Sequence, residues 1–193
     1  MHKILVILIL ILSNTLLFSN SVINKIKESL KNNSPFQVEF IQQVYTENEK
    51  EIEESGIILF KNINLIKWEY LKPEKKIFLI KNKEYVYYNK EENQVKKGNI
   101  DKKEETSIWR IFFTVKGFSC KLTDKNKIMI KDKKQGIKFI VQFNRDFLPI
   151  KVIQDDNSGI VYHYIFKNYK KRIKLTEKDL IIDLPENVEI VEY

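Results

Sequence analysis

The sequence contains few of the residues on which most enzymes and metal sites depend. It has one cysteine, five glycines and two histidines among 193 residues. Because His2 lies in the N-terminal segment, the rest of the chain has a single imidazole, His163, and a single thiol, Cys120. A zinc site needs several such ligands, and phosphate-binding loops need glycines at fixed spacing. The composition therefore predicts neither a metal site nor a bound cofactor.

Catalytic groups are also scarce. There is no Gly-x-Ser-x-Gly segment that would expose a nucleophilic serine. Two carboxylate pairs, Glu53 with Glu54 and Asp155 with Asp156, are neighbours in sequence, and neighbours in a strand point to opposite faces. We therefore expect a protein that is not an enzyme and has no catalytic residues. A Ser-His-Asp triad that uses His163 is the alternative that an inventory of residues leaves open.

The net charge of +8 does not indicate a nucleic-acid-binding protein. The arginines are Arg110, Arg145 and Arg172, and the lysines are interspersed with acidic residues rather than clustered. Recognition of nucleic acid usually requires a basic patch or stripe. We expect no nucleic-acid partner, while weak attraction to anionic membrane surfaces is compatible with the charge.

Residues 1–21 have the pattern of an export signal. Lys3 is followed by an apolar run, Ile4–Leu12, and small residues precede a cleavage position near Ser21. A membrane anchor is the alternative, but a span needs about 18 to 20 apolar residues, and polar residues 13–15 interrupt this run. No cysteine follows the segment to carry a lipid anchor. We predict a soluble periplasmic protein whose residues 22–193 form a single domain.

Two periodicities organise the rest of the chain. Val22–Lys31 has apolar residues at spacings of three and four, which predicts an amphipathic helix. From Phe36 the period is two, which predicts a strand, and short polar connections between later runs predict antiparallel neighbours. The further predicted strands are Ile52–Ile63, Leu65–Leu71, Lys76–Ile80, Tyr85–Tyr88, a stretch around Gln94 and Val95, Phe118–Leu122, Lys127–Lys131, Ile137–Phe143, Pro149–Gln154, Ile160–Tyr169 and Leu180–Asp183.

The stretch LIKWEYLKP, Leu65–Pro73, places Ile66, Trp68 and Tyr70 on one face of a strand. Several strands, such as Ile77–Ile80, are apolar on both faces, and 12% of the chain is aromatic. These features predict a sheet that curves around an apolar space, with one face covered by helices. Residues Asp101–Phe113, DKKEETSIWRIFF, begin with acids and end in apolar residues, which predicts a helix across the sheet, and an ordinary core helix is the simpler interpretation.

The order of several segments resembles one family. These segments are FQVEFIQQV at Phe36–Val44, then Gly56, LIKWEYLKP, and YVYYNKEENQV at Tyr85–Val95. NRDFLPIKVIQDD at Asn144–Asp156 and LIIDLPENVEIV at Leu180–Val191 resemble it more weakly. Together they are similar to LolA, the family of periplasmic carriers of outer-membrane lipoproteins, over nearly all of the chain after the signal.

The resemblance implies a mainly β (α+β) fold, a curved, incomplete antiparallel β-barrel with helices that form a lid over a hydrophobic cavity. It implies a lipid-binding cavity lined by Phe36, Val38, Phe40, Val44, Trp68 and Tyr70. The lid would contain Ile108, Trp109, Ile111 and Phe112. The family commonly has Arg-Pro in the hairpin before the tryptophan strand, where the arginine contacts the lid. Here Asn62 and Ile63 follow Lys61, so Lys61 and Asn62 are the candidates for the lid latch.

The resemblance also implies partners. A LolA-like chaperone accepts triacylated lipoproteins from a LolCDE-type ABC transporter of the inner membrane and delivers them to a LolB-type outer-membrane receptor where one exists, and we expect a monomer. Three alternatives remain open. They are a sensor of lipidated or misfolded envelope proteins, a carrier of another envelope lipid, and a structural envelope protein whose aromatic residues only pack the core.

Overall fold

A computed structural model describes residues 21–47, 49–82, 84–99, 118–132 and 136–192 of the chain. These residues form helix α1 at 21–33 and twelve strands. The strands are β1 Phe36–Thr46, β2 Glu49–Asn62, β3 Leu65–Lys72, β4 Lys76–Lys81, β5 Glu84–Asn89, β6 Gln94–Asn99, β7 Phe118–Asp124, β8 Lys127–Asp132, β9 Lys138–Phe143, β10 Pro149–Asp155, β11 Ile160–Lys171 and β12 Glu189–Glu192.

Two predicted segments fall largely or wholly outside the described residues. The export signal, apart from Ser21, and the helix predicted at Asp101–Phe113 lie there. Among the residues that the structure does describe, no helix has the length and hydrophobicity of a membrane span.

All twelve strands belong to one open sheet. Their order is β12-β6-β5-β4-β3-β2-β1-β11-β10-β9-β8-β7. β1–β6 form one meander, β7–β11 form a second, and β1 pairs with β11 to join them. The prediction of antiparallel neighbours is confirmed for these strands. β12 is the exception, because it runs parallel to β6 with Ile190 opposite Val95.

The sheet curves around one core. A single cluster of buried side chains contains Ile80 of β4 and Cys120 of β7, which are eight positions apart in the strand order. In a flat sheet, strands eight positions apart would be separated by about 38 Å. The cluster spans all of these strands on one side of the curved sheet, and we call the face that encloses it the inner face.

Helix α1 packs on the inner face. Its apolar residues Val22, Ile23, Ile26 and Leu30 are buried in the same core cluster as the strands. Each such side chain contributes about 1.5–3 kcal/mol when fully buried. At its C-terminal end, Asn33 Nδ2 donates a 2.8 Å hydrogen bond to the Ser29 carbonyl, and Ser29 Oγ donates to the Asp146 carbonyl. The helix predicted at Val22–Lys31 is confirmed and covers one side of the sheet.

Asparagine does at several turns what glycine does in most proteins. Asn82, Asn93 and Asn157 have φ angles of 61°, 50° and 61°, in the left-handed region. Asparagine tolerates this region better than other residues with a Cβ atom. A chain with five glycines can therefore still form many tight connections.

An irregular segment near the C-terminus packs against the outer face of the sheet. Residues 172–188 cross it as an irregular segment between β11 and β12, and we call this segment the C-terminal strap. Lys67 Nζ donates a 3.1 Å hydrogen bond to the Asp179 carbonyl and lies 2.6 Å from Glu69 Oε1. Leu180 is buried, and the outer-face residue Leu79 is also buried. The strap therefore packs against the outer face of the sheet at β3.

The strand predicted at Leu180–Asp183 is wrong. Lys178–Leu180 form a 3₁₀ turn, and the residues after it are irregular. The Asp179 carboxylate accepts hydrogen bonds from Thr176 N–H at 2.7 Å and from Thr176 Oγ1 at 2.6 Å, which closes the chain into a turn. These local bonds also lower the pKa of Asp179. The last strand, β12, begins at Glu189.

A pair of adjacent residues tests whether the strap is held by its buried leucine. Leu180→Ala is expected to lower the free energy of unfolding by about 2–3 kcal/mol, because it removes a buried side chain at a site where little can refill the space. Ile181→Ala is the control, since Ile181 is 47% exposed and should change stability by less than about 0.5 kcal/mol. Urea denaturation with limited proteolysis measures both, and equal effects would mean that the strap does not depend on Leu180.

Candidate functional site

The strand register brings most of the predicted cavity residues onto the inner face. In neighbouring strands, paired residues share a face of the sheet. Phe36 pairs with Phe60, which pairs with Ile66, and we call this set the first apolar row. Val38 pairs with Ile58, which pairs with Trp68, and this is the second apolar row. All six side chains are buried in the core cluster.

Phe40 extends the apolar rows along β1. Its ring meets Trp68 at 5.1 Å between centroids with an interplanar angle of 62°, and Tyr70 at 5.0 Å and 84°. Trp68 also meets Tyr164 of β11 at 6.1 Å and 80°. Edge-to-face pairs of this kind contribute about 0.5–1.5 kcal/mol beyond their buried area. The sheet therefore holds an aromatic surface across β11, β1 and β3.

Val44 lies at the end of this surface. It is half-buried, and its partner in β2, Ile52, is 48% exposed. The register of β1 and β2 shifts directly after it, between Val44 and Tyr45. Of the six residues predicted to line a cavity, Val44 is thus the one at the rim, while Phe36, Val38 and Phe40 lie further in.

A group of polar side chains occupies the inner face beyond Phe40. Tyr70 Oη donates a 3.0 Å hydrogen bond to Gln42 Oε1, and Gln42 Nε2 donates at 3.3 Å to Glu54 Oε2. Lys76 Nζ lies 3.1 Å from Glu54 Oε1 and 2.8 Å from Glu74 Oε2. We call Gln42, Glu54, Tyr70 and Lys76 the polar cluster. Gln42 is 9% exposed, and the side chains of Glu54 and Lys76 are 14% and 21% exposed, so the cluster is largely buried.

Burial and pairing shift the pKa values of this group. Desolvation raises the pKa of Tyr70 and Tyr164, with smaller contributions from neighbouring acidic groups that include Glu54. Hydrogen bonds to Glu74 and Glu54 raise the pKa of Lys76, even though burial acts in the opposite direction. At neutral pH the phenols are therefore uncharged donors, and the lysine is an ammonium held between two carboxylates.

Sequence reasoning placed two members of the polar cluster on this face but did not recognise the cluster. Gln42 falls in the alternating series that begins at Phe36, as a polar interruption, and Tyr70 was predicted as a lining residue. Glu54 could have been found by counting two residues back from Gly56 on the same face. Its contact with Lys76 depends on the register of three strands, which no local pattern provides.

Of the predicted lid and latch residues, the structure describes only the latch residues. Ile108, Trp109, Ile111 and Phe112 lie outside the described residues. Lys61 is half-buried at the end of β2, and Asn62 begins the turn to β3. Asn62 Oδ1 accepts a 2.8 Å hydrogen bond from the Asn64 N–H, so that oxygen stabilises the hairpin itself.

The thiol and the imidazole, which carry chemistry in many enzymes, have packing roles in this fold. Burial raises the pKa of the Cys120 thiol to about 11, which keeps it protonated and weakly nucleophilic. His163 packs on Tyr45 with 4.6 Å between the ring centroids. Burial lowers the pKa of His163, and the positive charge of Lys151 lowers it further. Within the part of the chain that the structure describes, no group of three or more potential metal ligands is present.

The fold and this face define a class of mainly β protein in which one open, curved antiparallel sheet encloses an apolar surface. Residues 31–179 match the model of the family described as "Outer membrane lipoprotein carrier protein LolA". The chain belongs to this family, as its sequence motifs predicted. No curated protein matches the chain by sequence.

Solved structures show the same fold at low sequence identity. A LolA-superfamily protein from Nitrosomonas europaea is 14% identical with a TM-score of 0.54, over 85% of this chain and 97% of that one. An uncharacterised conserved protein from Thermus thermophilus is 16% identical with a TM-score of 0.55, over 88% and 98%. MucB, in the Pseudomonas aeruginosa MucA/MucB complex, is similar at 12% identity and a TM-score of 0.53, over 86% of this chain and 61% of that chain.

Proposed function

We propose that this protein is a periplasmic chaperone that carries lipoproteins from the inner to the outer membrane by burying their acyl chains against the inner face. The observation that carries the proposal is the aromatic and aliphatic surface formed by the two apolar rows and Phe40 in a member of the LolA family. Carriage makes and breaks no covalent bond. A carrier function is compatible with a Cys120 thiol that stays protonated and with the absence of clustered metal ligands among the described residues.

The energetics make release the difficult step. Each buried methylene gains about 0.8 kcal/mol, so three acyl chains provide ample driving force for capture. In the proposed cycle, Ile108, Trp109, Ile111 and Phe112 form a lid that packs into the empty cavity and competes with the cargo. Lys61 or Asn62, at the β2–β3 hairpin, would contact this lid. A LolCDE-type transporter would load the protein, and a LolB-type receptor, where present, would unload it.

The test is capture of lipoprotein by the exported protein, with two variants of the same strand. Spheroplasts that contain a labelled triacylated lipoprotein are incubated with protein purified gently from the periplasm, and native mass spectrometry identifies what is bound. We expect the wild type to extract lipoprotein from the spheroplast membrane and to keep it bound. Trp68→Glu should bind at least about tenfold less lipoprotein, because the substitution places a charge in the apolar surface. Leu71→Glu is the control, since Leu71 lies on the outer face at 48% exposure.

The outcomes separate the alternatives. Wild-type protein that is empty when purified and fails to release any lipoprotein would refute the carrier function. Co-purified phospholipid or glycolipid without lipoprotein would indicate a carrier of another envelope lipid. Trp68→Glu must remain folded for its result to count, so its thermal unfolding is measured alongside, and Trp68→Gln serves as a milder second variant.

A sensor on the same scaffold is the second candidate. It is favoured by the structural similarity to MucB, which has been solved in complex with MucA. A sensor would bind a membrane-anchored regulator and change that interaction when lipid is present. Chemical cross-linking in intact cells distinguishes the two functions. A carrier would be captured with LolCDE-type components and lipoproteins, and a sensor would be captured with one regulatory membrane protein.

A further inference from the structure

The inner face changes character abruptly along the strands. On β1, Phe40 faces Trp68, while two residues further on Gln42 faces Glu54. From Phe36 to Gln42 is six residues of strand, or about 20 Å. The face is therefore apolar as far as Phe40 and polar at Gln42 and Glu54, with Val44 and Ile52 at the rim beyond them, so an apolar region adjoins a polar one as in an amphiphile.

The polar cluster is costly to place on a buried surface. Buried polar groups must be hydrogen-bonded or they destabilise the fold, and apolar side chains at the same positions would avoid that cost. Gln42 is 9% exposed, yet it uses its oxygen for Tyr70 and its nitrogen for Glu54. Such a network fixes the direction of each donor and acceptor, and a fixed arrangement is what recognition of a polar group needs.

Tyr164 adds a donor that the cluster itself does not use. Its ring packs on Trp68, and its hydroxyl has no hydrogen-bond partner within the described ranges between residues 21 and 192. Burial raises the pKa of Tyr164, so the hydroxyl keeps its proton. A half-buried phenol beside an apolar surface can therefore donate a hydrogen bond to a ligand oxygen.

The charges around the polar cluster indicate whether the ligand oxygen belongs to a charged or an uncharged group. Lys76 is the ammonium of the cluster, and it pairs with Glu54 inside the cluster and with Glu74 at its edge, where the Glu74 side chain is 43% exposed. Two carboxylates against one ammonium leave a net negative charge. Two like charges close together in a partly buried site repel each other more strongly than they would in water. An anionic phosphate would be repelled, whereas an ester, amide or hydroxyl would find donors and acceptors without a charge penalty.

We propose that the polar cluster, with Tyr164, is a subsite for the polar head of a bound amphiphile and that it selects uncharged ester, amide and hydroxyl heads over anionic phosphate heads. This inference rests on the proposed function, because it places the acyl chains on the apolar rows. The acylated cysteine of a lipoprotein joins its chains through esters and an amide, while the surrounding phospholipids carry a phosphate. The subsite would therefore separate cargo from the lipids that solvate it.

The test compares two ligands with the same two palmitoyl chains. One is the uncharged S-(dipalmitoylglyceryl)-N-acetylcysteine amide, and the other is dipalmitoyl phosphatidylglycerol. Each displaces the uncharged fluorescent probe N-phenyl-1-naphthylamine from the exported protein, which gives both dissociation constants in one assay. We expect wild-type protein to bind the uncharged ligand at least about tenfold more tightly.

Three single substitutions locate the selectivity. Glu54→Gln removes the negative charge and keeps the shape, and we expect it to raise phosphatidylglycerol affinity about tenfold. Tyr164→Phe removes only a hydroxyl. We expect it to raise the dissociation constant of the uncharged ligand about fivefold and to leave that of phosphatidylglycerol unchanged. Glu53→Gln is the matched control, because Glu53 lies on the outer face, where its carboxylate binds Gln43 and Lys50. It should change neither dissociation constant.

The results distinguish this inference from the proposed function. Equal affinities for the two ligands, unaltered by Glu54→Gln and Tyr164→Phe, would overturn the head-group subsite while carriage of acyl chains stands. Tighter binding of phosphatidylglycerol by the wild type would also overturn it. Failure of both ligands to displace the probe would instead refute the apolar inner face as a lipid site. Thermal unfolding of each variant guards against a loss of binding that reflects a loss of fold.

Discussion

Replacing Phe36 with alanine is expected to lower the free energy of unfolding by about 3–5 kcal/mol. Phe36 is fully buried at the start of β1, and its ring stacks on Phe60 with centroids 4.7 Å apart. It also lies 5.5 Å from the ring of Tyr169, so its removal leaves a cavity beside the rings of Phe60 and Tyr169. Domains are stable by about 5–15 kcal/mol, and such a loss would consume much of that margin.

Urea denaturation followed by tryptophan fluorescence measures this effect. Leu71→Ala is the control, because it removes a similar apolar side chain from an exposed position of the same sheet and should change stability by less than about 0.5 kcal/mol. The double substitution of Phe36 and Phe60 should show a coupling of about 0.5–1.5 kcal/mol from the stacked rings. A Phe36→Ala protein as stable as the Leu71→Ala protein would show that the first apolar row does not form the core.

Gly56→Ala is expected to destabilise the protein by about 3 kcal/mol, at the upper end of the cost of overpacking. A Cβ atom at this position would lie 1.8 Å from the Glu69 carbonyl oxygen and 2.8 Å from the carbonyl carbon. The register of β2 and β3 also shifts at this glycine, between Ser55 and Gly56. The obstruction is backbone of the adjacent strand, so the sheet itself would have to move.

Gly98→Ala is the comparison that isolates the backbone contact. Its Cβ atom would lie 2.9 Å from a ring carbon of Tyr85, which belongs to a side chain that can rotate away. We expect it to cost about 1 kcal/mol, and the difference between the two variants in thermal or urea unfolding is the measurement. If Gly56→Ala lowered the free energy of unfolding no more than Gly98→Ala, then β2 and β3 would not approach each other closely at Gly56.

The sequence predicted strands well because most of them alternate cleanly. Phe36, Val38 and Phe40 have a period of two, and a strand with one buried face is the structure that this pattern specifies. The helix at 21–33 followed from spacings of three and four in the same way. In both cases the information lies within about ten consecutive residues. Local pattern was sufficient because burial of one face is a local geometric requirement.

Prediction failed where distant segments decide the local structure. LIID at Leu180–Asp183 looks like a strand, but a turn closed by Asp179 and the docking of Leu180 on the outer face take precedence. No local pattern indicated the strap, which packs against the outer face at Lys67. Likewise, Glu54 and Lys76 are twenty-two residues apart, and only the pairing of β2, β3 and β4 brings them to 3.1 Å.

By itself, the sequence determined the class of this protein: a mainly antiparallel β domain of the LolA family with an aromatic face and few side chains of the kinds that catalyse reactions. These properties follow from composition, periodicity and the order of short motifs, all of which a linear chain contains. Only the tertiary structure decided how the polar cluster meets the apolar rows and what covers the outer face. Those contacts join residues far apart in sequence, and their geometry depends on strand register and curvature, which arise only when the whole sheet has formed.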